Sequence, residues 1–394
     1  MRTQSHQREA TACVAEFTAV QDRGMLEWAR RRPDDGFVIG VALRLRGPRP
    51  TAQRLAALIA ARLPRLPVLT EHLDGPEREE SWRPADGFDA ARHVHVLDGP
   101  AQACGAVELV ADQPVCEDRP RWGLWLADAE RDDEYLLAYR VHHAAQDGAA
   151  VVHTVRRLLD ARAAAAPTDG VPARVGRQAA APSPGGSRLL ATADVPVAAM
   201  RSVVQASGAS LNDVYLAALA GALRAWLPPA ERHRPVPVRV PFNVRLRHER
   251  QDRGNRFGYK QVFLPVDEPS AVRRLAAVVG QTLLWPRDRN RRLLDLIPNE
   301  MLQDLVTSFL SPRDALATVT LLGVHTPLAL DGSPVTGGFA LPPLVSGHLF
   351  SSVLFLHGDR AAVSFTAQAQ HDHVRDLPRL WELAVAELAT AEFP

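Results

Sequence analysis

The run most capable of chemistry in this chain is His142-His143-Ala144-Ala145-Gln146-Asp147-Gly148: two adjacent histidines, then a carboxylate and a glycine. A neutral imidazole, with an ordinary pKa of ~6.5, takes up a proton near neutral pH, so the chemistry on offer is general-base catalysis. The residues just before it, 135–142 (YLLAYRVH), are apolar and aromatic and predict a central strand, while from Gly148 the pattern turns helical. The histidines therefore end a strand, where neighbouring side chains point to opposite faces. Only one of the pair can face a cleft, and the other must pack or bond inside. Gly148 permits a tight backbone approach, and Asp147 can bond locally or pair with an arginine. The motif alone leaves a catalytic and a structural reading evenly matched.

The elements that would hold this run alternate between strand and helix. Strand patterns cover 36–45 and 91–97, and apolar residues recur at helical spacing over 51–63. Residues 161–187, rich in Ala, Pro, Gly and Ser, predict a flexible linker, and 286–292 (PRDRNRR) a surface loop. Beyond the linker, Asp194 is an expected N-cap with Pro196 in the first turn, and Gly208 ends that helix. Ser210 and Asp213 form a capping box for the next. Strands are expected at 236–240, 259–266, 317–322, 349–356 and 361–369, then a helix over 377–389. The organisation predicted is α+β in two similar halves, residues 1–160 and 188–394, around the linker 161–187.

Composition narrows the class. The formal net charge is +1 with 46% hydrophobic and 23% charged residues, which describes a soluble globular protein without a nucleic-acid footprint. Positive charge is nearly all Arg, with one Lys at position 260, a bias that reads as the GC-rich coding of a high-GC bacterium. Cys13, Cys104 and Cys116 suit neither a disulfide framework nor a zinc site and suggest a reducing compartment. The N-terminus is polar, and the apolar stretch 214–226 is too short to span a bilayer and carries Arg224. A cytoplasmic monomer is expected.

HHxxxDG resembles the signature of the chloramphenicol acetyltransferase/condensation-domain superfamily. Within it the chain is similar to the bacterial wax ester synthase/diacylglycerol acyltransferase family. Arg119-Pro120-Arg121-Trp122-Gly123-Leu124-Trp125 resembles that family's "RPLWelwl" block, with Arg121 where Leu is usual. Ser210-Leu211-Asn212-Asp213-Val214 resembles its "tvNDvv" block, and Pro241-Phe242-Asn243-Val244-Arg245 followed by Gly254-Asn255 its "PvsvR…GN" stretch. The closing strands and helix have the family's spacing, so the resemblance covers nearly the whole chain. It implies two chloramphenicol acetyltransferase-like α/β halves, each a mixed sheet flanked by helices, with an active-site tunnel between them.

The activity implied is transfer of an acyl group from a thioester, on coenzyme A or carrier-protein phosphopantetheine, to a small-molecule alcohol or amine. His143 would be the general base, with no tightly bound cofactor and no metal. His142, Asp147 and Gly148 complete the catalytic set; Asp147 would shape the loop through a salt bridge for which Arg245 is the candidate partner, and amides near Gly148 would stabilise the oxyanion. Trp122, Asn212, Arg245 and Ser351 are the residues expected near substrate. The chain is shorter than is usual in the family, and Val319-Thr320-Leu321-Leu322-Gly323 stands where relatives carry an "NVPG"-like segment. That departure implies an acceptor from specialised, natural-product metabolism instead of a storage lipid.

Plainer roles stand beside these. Asp213 already serves as a cap, Trp122 and Trp125 suit a core, and His153 suits helix packing. His371 and His373 form a lone H-x-H, weak as a metal motif. Gly185-Gly186 belongs to the linker and makes no phosphate loop. Two other readings stay open: a free-standing condensation enzyme using a carrier-bound donor, and a non-catalytic binding module.

Overall fold

The computed structural model describes residues 16–17, 20–32, 37–77, 79–97, 103–160, 188–283, 315–345 and 347–393. The linker expected at 161–187 and the loop at 286–292 lie outside the described residues. In chain order the first elements are β1 (Glu16–Phe17), α1 (Val20–Arg31), β2 (Val38–Arg46), α2 (Ala52–Ala60), β3 (Glu71–Asp74), β4 (Ser81–Pro84) and β5 (Val94–Val96). Then come α3 (Ala103–Ala111), β6 (Trp122–Asp128), β7 (Glu134–His142), α4 (Gly148–Leu158), β8 (Arg188–Pro196), α5 (Val197–Ser207) and α6 (Leu211–Trp226). The last are β9 (Val236–Asn243), β10 (Phe257–Leu264), α7 (Ala271–Thr282), β11 (Ala317–Val324), β12 (Ala329–Leu330), β13 (Ser333–Leu341), β14 (Phe350–His357), β15 (Arg360–Gln368) and α8 (Leu377–Thr390).

Because β7 is apolar on both faces, it can only be central, and it pairs antiparallel with both β2 and β6. Its sheet runs β12-β13-β2-β7-β6-β5. Ile39, Val41, Leu43 and Leu45 of β2 face the apolar sides of α2 and α4, while Ala42, Trp125 and Leu136 face α3. The second sheet runs β10-β9-β11-β14-β15-β8, with β11 parallel to both β9 and β14. One of its faces is covered by α5, α6, α7 and α8, so α6 is buried on nearly every side. The other face turns towards the first half, and Val324, Val353 and Phe355 share a core with Val151 and Val155 of α4.

These two α/β halves match the fold expected. Sheet membership departs from the linear division at the linker, because β12 and β13 cross back to the first sheet, where Phe339 pairs with Ala42 and Leu341 with Gly40 of β2. The start of α5 also differs. Asp194 lies inside β8, bound by the Arg360 Nε (2.8 Å) and near Arg44, and the helix begins after Pro196 without a side-chain cap. An ion pair on the strand holds the carboxylate that the sequence pattern offers as a cap. Gly208 ends α5 with φ 72°, and the Ser210–Asp213 capping box is formed as expected.

Candidate active site

β7 ends by sending its two histidines in opposite directions. His142 is 6% exposed, and its Nδ1 accepts the Ala144 N–H at 3.1 Å. Burial, with the Arg121 and His143 charges, pushes its pKa down to about 3, so this ring stays neutral and structural. His143 is half-buried, and its own N–H donates to the Phe37 carbonyl (2.9 Å). Its ring stacks on Phe37 with centroids 5.0 Å apart and meets Phe257 edge-on. The Nδ1 lies 3.0 Å from the Asn255 Oδ1. Burial lowers the pKa of His143, partly offset by its own carbonyl, Asp147 and Asn255, which leaves a neutral imidazole at neutral pH.

Asp147 holds the turn together. As N-cap of α4 its carboxylate accepts the Ala150 N–H (2.9 Å), and it also accepts the Arg256 N–H (2.9 Å). Arg245 Nη1 donates to both carboxylate oxygens, at 2.9 and 2.7 Å. The Arg245 side chain is 1% exposed and also donates through Nη2 to the carbonyls of Arg253 (2.8 Å) and Gly254 (2.6 Å). One arginine thus ties the loop before β10 to the turn after β7. The backbone joins them too: the Gly254 N–H donates to the Ala145 carbonyl (2.7 Å), and Gln146 bridges Gly254. Gly148 opens α4 against β11, where a Cβ would come within 2.9 Å of Leu322 Cδ2. The close approach expected of this glycine is therefore to the facing sheet.

Between the halves lies a cavity of about 650 Å³, bounded by His143, the first turns of α4, the N-terminal end of α6 and the open face of the second sheet. Of the residues expected near substrate, Asn212 and Ser351 line it. Trp122 and Arg245 are not among its lining residues. The Trp122 indole is buried, donates to the Leu69 carbonyl (2.7 Å) and stacks on His93, so it is a core aromatic. Arg245 is fully engaged with Asp147 and the loop carbonyls, and its place is that of the salt-bridge partner. Ser351 is 2% exposed, and its Oγ finds no partner among the described residues, whereas Ser352 accepts the Tyr215 hydroxyl (2.8 Å). Asp213 is occupied by its capping box and by the Thr282 hydroxyl (2.6 Å). His373 stacks on Trp226, and among the described residues no group of three His, Cys, Asp or Glu is placed to hold a metal.

Sequence reasoning missed several residues that meet at this site. His153 lies on α4 facing the cavity, and Thr318 and Tyr259 line it from the second sheet. Asn255 had a signal, the Gly254-Asn255 pair of the resemblance, but nothing there tied it to a histidine 112 residues away.

Known proteins resemble this chain in sequence and in fold. The model of the wax ester synthase/diacylglycerol acyltransferase catalytic domain matches residues 36–278. A Mycobacterium tuberculosis protein named as a diacylglycerol O-acyltransferase, Rv3371, is 23% identical over 422 residues, covering 95% of this chain and 91% of the relative. Another from that organism, tgs2, also named as a diacylglycerol O-acyltransferase, is 26% identical over 321 residues, 66% of this chain and 68% of the relative. Among solved structures, the wax ester synthase/diacylglycerol acyltransferase of Marinobacter aquaeolei VT8 aligns with TM-score 0.63 at 17% identity, over 89% of this chain and 94% of that one. The first condensation domain of the CDA synthetase aligns at 0.67 and 17%, over 97% and 98%. A mutant starter condensation domain of rhizomide synthetase, in complex with C8-CoA, aligns at 0.65 and 14%, over 96% of each chain. With its matched span covering both the histidine turn and the loop that clamps it, this chain belongs to the wax ester synthase/diacylglycerol acyltransferase family and is an acyltransferase.

Proposed function

We propose that the protein moves an acyl group from acyl-coenzyme A to the hydroxyl or amine of a small-molecule acceptor, with His143 as general base. The observation that carries this reading is the placement of His143. It is an imidazole neutral at neutral pH, anchored through Nδ1 and by stacking, on the wall of a cavity shared by both halves. With Nδ1 engaged on Asn255, Nε2 is the nitrogen left to meet an acceptor. It removes the acceptor's proton as the oxygen or nitrogen attacks the thioester carbonyl. The tetrahedral intermediate then expels the thiolate, which recovers that proton from Nε2, leaving an ester or amide and free coenzyme A. No covalent enzyme intermediate is required.

Gly148 and Ala149 line the cavity in the first turn of α4, where backbone N–H groups have no intrahelical partner and the helix dipole favours negative charge. They are the proposed oxyanion donors, each worth about 3 kcal/mol in such sites. Asn212 and Ser351 are the proposed substrate contacts. His142 and Asp147 support the turn without touching substrate. A cavity of about 650 Å³ is of small-molecule size. Its lining is mostly apolar, with Thr318, Tyr259 and Ser351 as polar points. The reading of an acceptor from specialised metabolism over a storage lipid rests on Val319-Thr320-Leu321-Leu322-Gly323, the segment that departs from the family pattern. The C8-CoA complex of the rhizomide starter domain, a protein of the same fold, supports coenzyme A as the donor. No described helix is long and apolar enough to cross a membrane.

Thiol release from medium-chain acyl-CoA and from the same acyl group on a carrier protein, assayed with a panel of alcohols and amines, tests the reading. Acceptor-dependent release from acyl-CoA is expected. Reaction with the carrier-bound donor alone would replace it with the condensation reading.

A further inference from the structure

We propose that Asp22 and Asn255 form a positioning clamp that fixes the His143 imidazole in its Nδ1–H tautomer, leaving the Nε2 lone pair to take the acceptor's proton. The inference rests on His143 being the base and adds what makes it one. Asn255 is 0% exposed, so its amide cannot turn to water for partners. Its Nδ2 donates to the Asp22 Oδ1 (2.9 Å), to the His143 carbonyl (2.8 Å) and, more weakly, to the Ala144 carbonyl (3.2 Å). All three are acceptors. A flipped amide would set its oxygen against them at the same distances, which fixes the orientation without reference to the histidine. The Oδ1 therefore faces His143 Nδ1 at 3.0 Å, and an amide oxygen only accepts. Nδ1 must carry the hydrogen, and Nε2 is then the basic nitrogen.

Asp22 makes this orientation rigid. Its Oδ1 receives both the Asn255 backbone N–H (2.7 Å) and the side-chain Nδ2, pinning the residue at two points. Gly254 leaves room for this: its φ is +69°, and a Cβ would come within 3.1 Å of the Asp22 Oδ2. Asp22 is itself 2% exposed on α1. Burial raises its carboxyl to about 6, against the opposing pull of Asn255 and Arg256, so it is predominantly anionic at neutral pH. That charge lies one amide away from the ring that becomes cationic when it takes a proton, and it strengthens the Nδ1–H bond in that state. α1 precedes the span 36–278 matched by the family model, so the outer member of the clamp comes from outside that span.

Asn255 and Asp22 touch neither substrate nor reacting atoms, so the test reads the imidazole itself. In full-length protein labelled with 15N-histidine, multiple-bond 1H–15N spectra near pH 8 distinguish the two tautomers, and loss of peaks in His143→Gln assigns them. The expected wild-type pattern is Nδ1–H. Asn255→Ala should shift population towards Nε2–H and lower kcat about 10- to 100-fold, with the KM for acyl-CoA little changed. Asp22→Asn keeps an acceptor oxygen in place and removes the charge. It should retain the tautomer, lower kcat by about tenfold, and move the acidic limb of kcat/KM to lower pH. An Nε2–H pattern in wild type overturns the clamp whether or not any variant folds, as does an unchanged pattern in Asn255→Ala. Failure of the base reading is separate: His143→Ala would retain activity while the wild-type tautomer remained Nδ1–H.

Discussion

Two adjacent histidines with the same intrinsic chemistry part company because of what each touches. His142, held near pKa 3 by burial and with Nδ1 accepting the Ala144 N–H, is a neutral strut, while His143 stands at the cavity wall. Asp147 shows the same division: it sits beside the base yet bonds to Ala150, Arg256 and Arg245. Asp147→Ala would leave Arg245 buried without its counter-charge, so a loss of about 3–5 kcal/mol in urea unfolding is expected along with the lost activity. A variant of unchanged stability and reduced kcat would move Asp147 into the chemistry. The histidines, Asp147 and Gly148 were legible because strand, turn and cap lie within seven consecutive positions. The Arg245 partnership followed from family resemblance. The Asn255 bond was not legible, since a contact spanning 112 residues leaves no spacing to read.

Elements were easiest to read where local pattern and tertiary context agree. β2, β7, β14 and α8 fall close to their expected positions because each carries one uninterrupted apolar pattern. β13 escaped notice: Gly337-Gly338 interrupts its run, and it is a strand by virtue of pairing with β2, not by propensity. α1, with Gly24 near its middle and Asp22 turned inward, was likewise not read as a helix. At this scale the Ser210–Asp213 box both starts α6 and presents Asn212 to the cavity. Ser210→Ala should lower the unfolding free energy by about 1 kcal/mol, measurable as a shift in the urea midpoint at constant slope. No shift would mean the box does not anchor the helix.

For the molecule as a whole, two halves were foreseeable and their interlocking was not. β13 in the first sheet, and Asp194 of β8 within reach of Arg44 of β2, join parts that the linear sequence keeps apart. Buried histidines set how this assembly responds to acid. Burial holds His142 near 3 and, together with neighbouring arginines, His93 and His348 near 4, against ~6.5 in an unfolded chain. Between those values the unfolded chain binds more protons, so the stability from these groups is present above pH ~6.5 and is lost as pH falls towards 4, by up to ~1.4 kcal/mol per pH unit for each. Asp22, raised to about 6, acts with the opposite sign over pH ~4–6, joined by Asp112 and Glu382, whose carboxyls burial also raises, while His95, lowered by burial to about 4, adds to the other rings. Melting temperature should therefore fall steadily from pH 7 to 4.5; a flat or rising profile would contradict the buried, neutral state of these rings.

The central claim is that His143 takes the acceptor's proton. Acceptor-dependent release of coenzyme A from a medium-chain acyl-CoA, measured for the wild type and His143→Ala with melting curves of both, tests it most directly. The account predicts a variant that melts like the wild type and has lost ~10²–10⁴-fold in kcat. A stably folded variant with kcat within a few-fold of the wild type would contradict it.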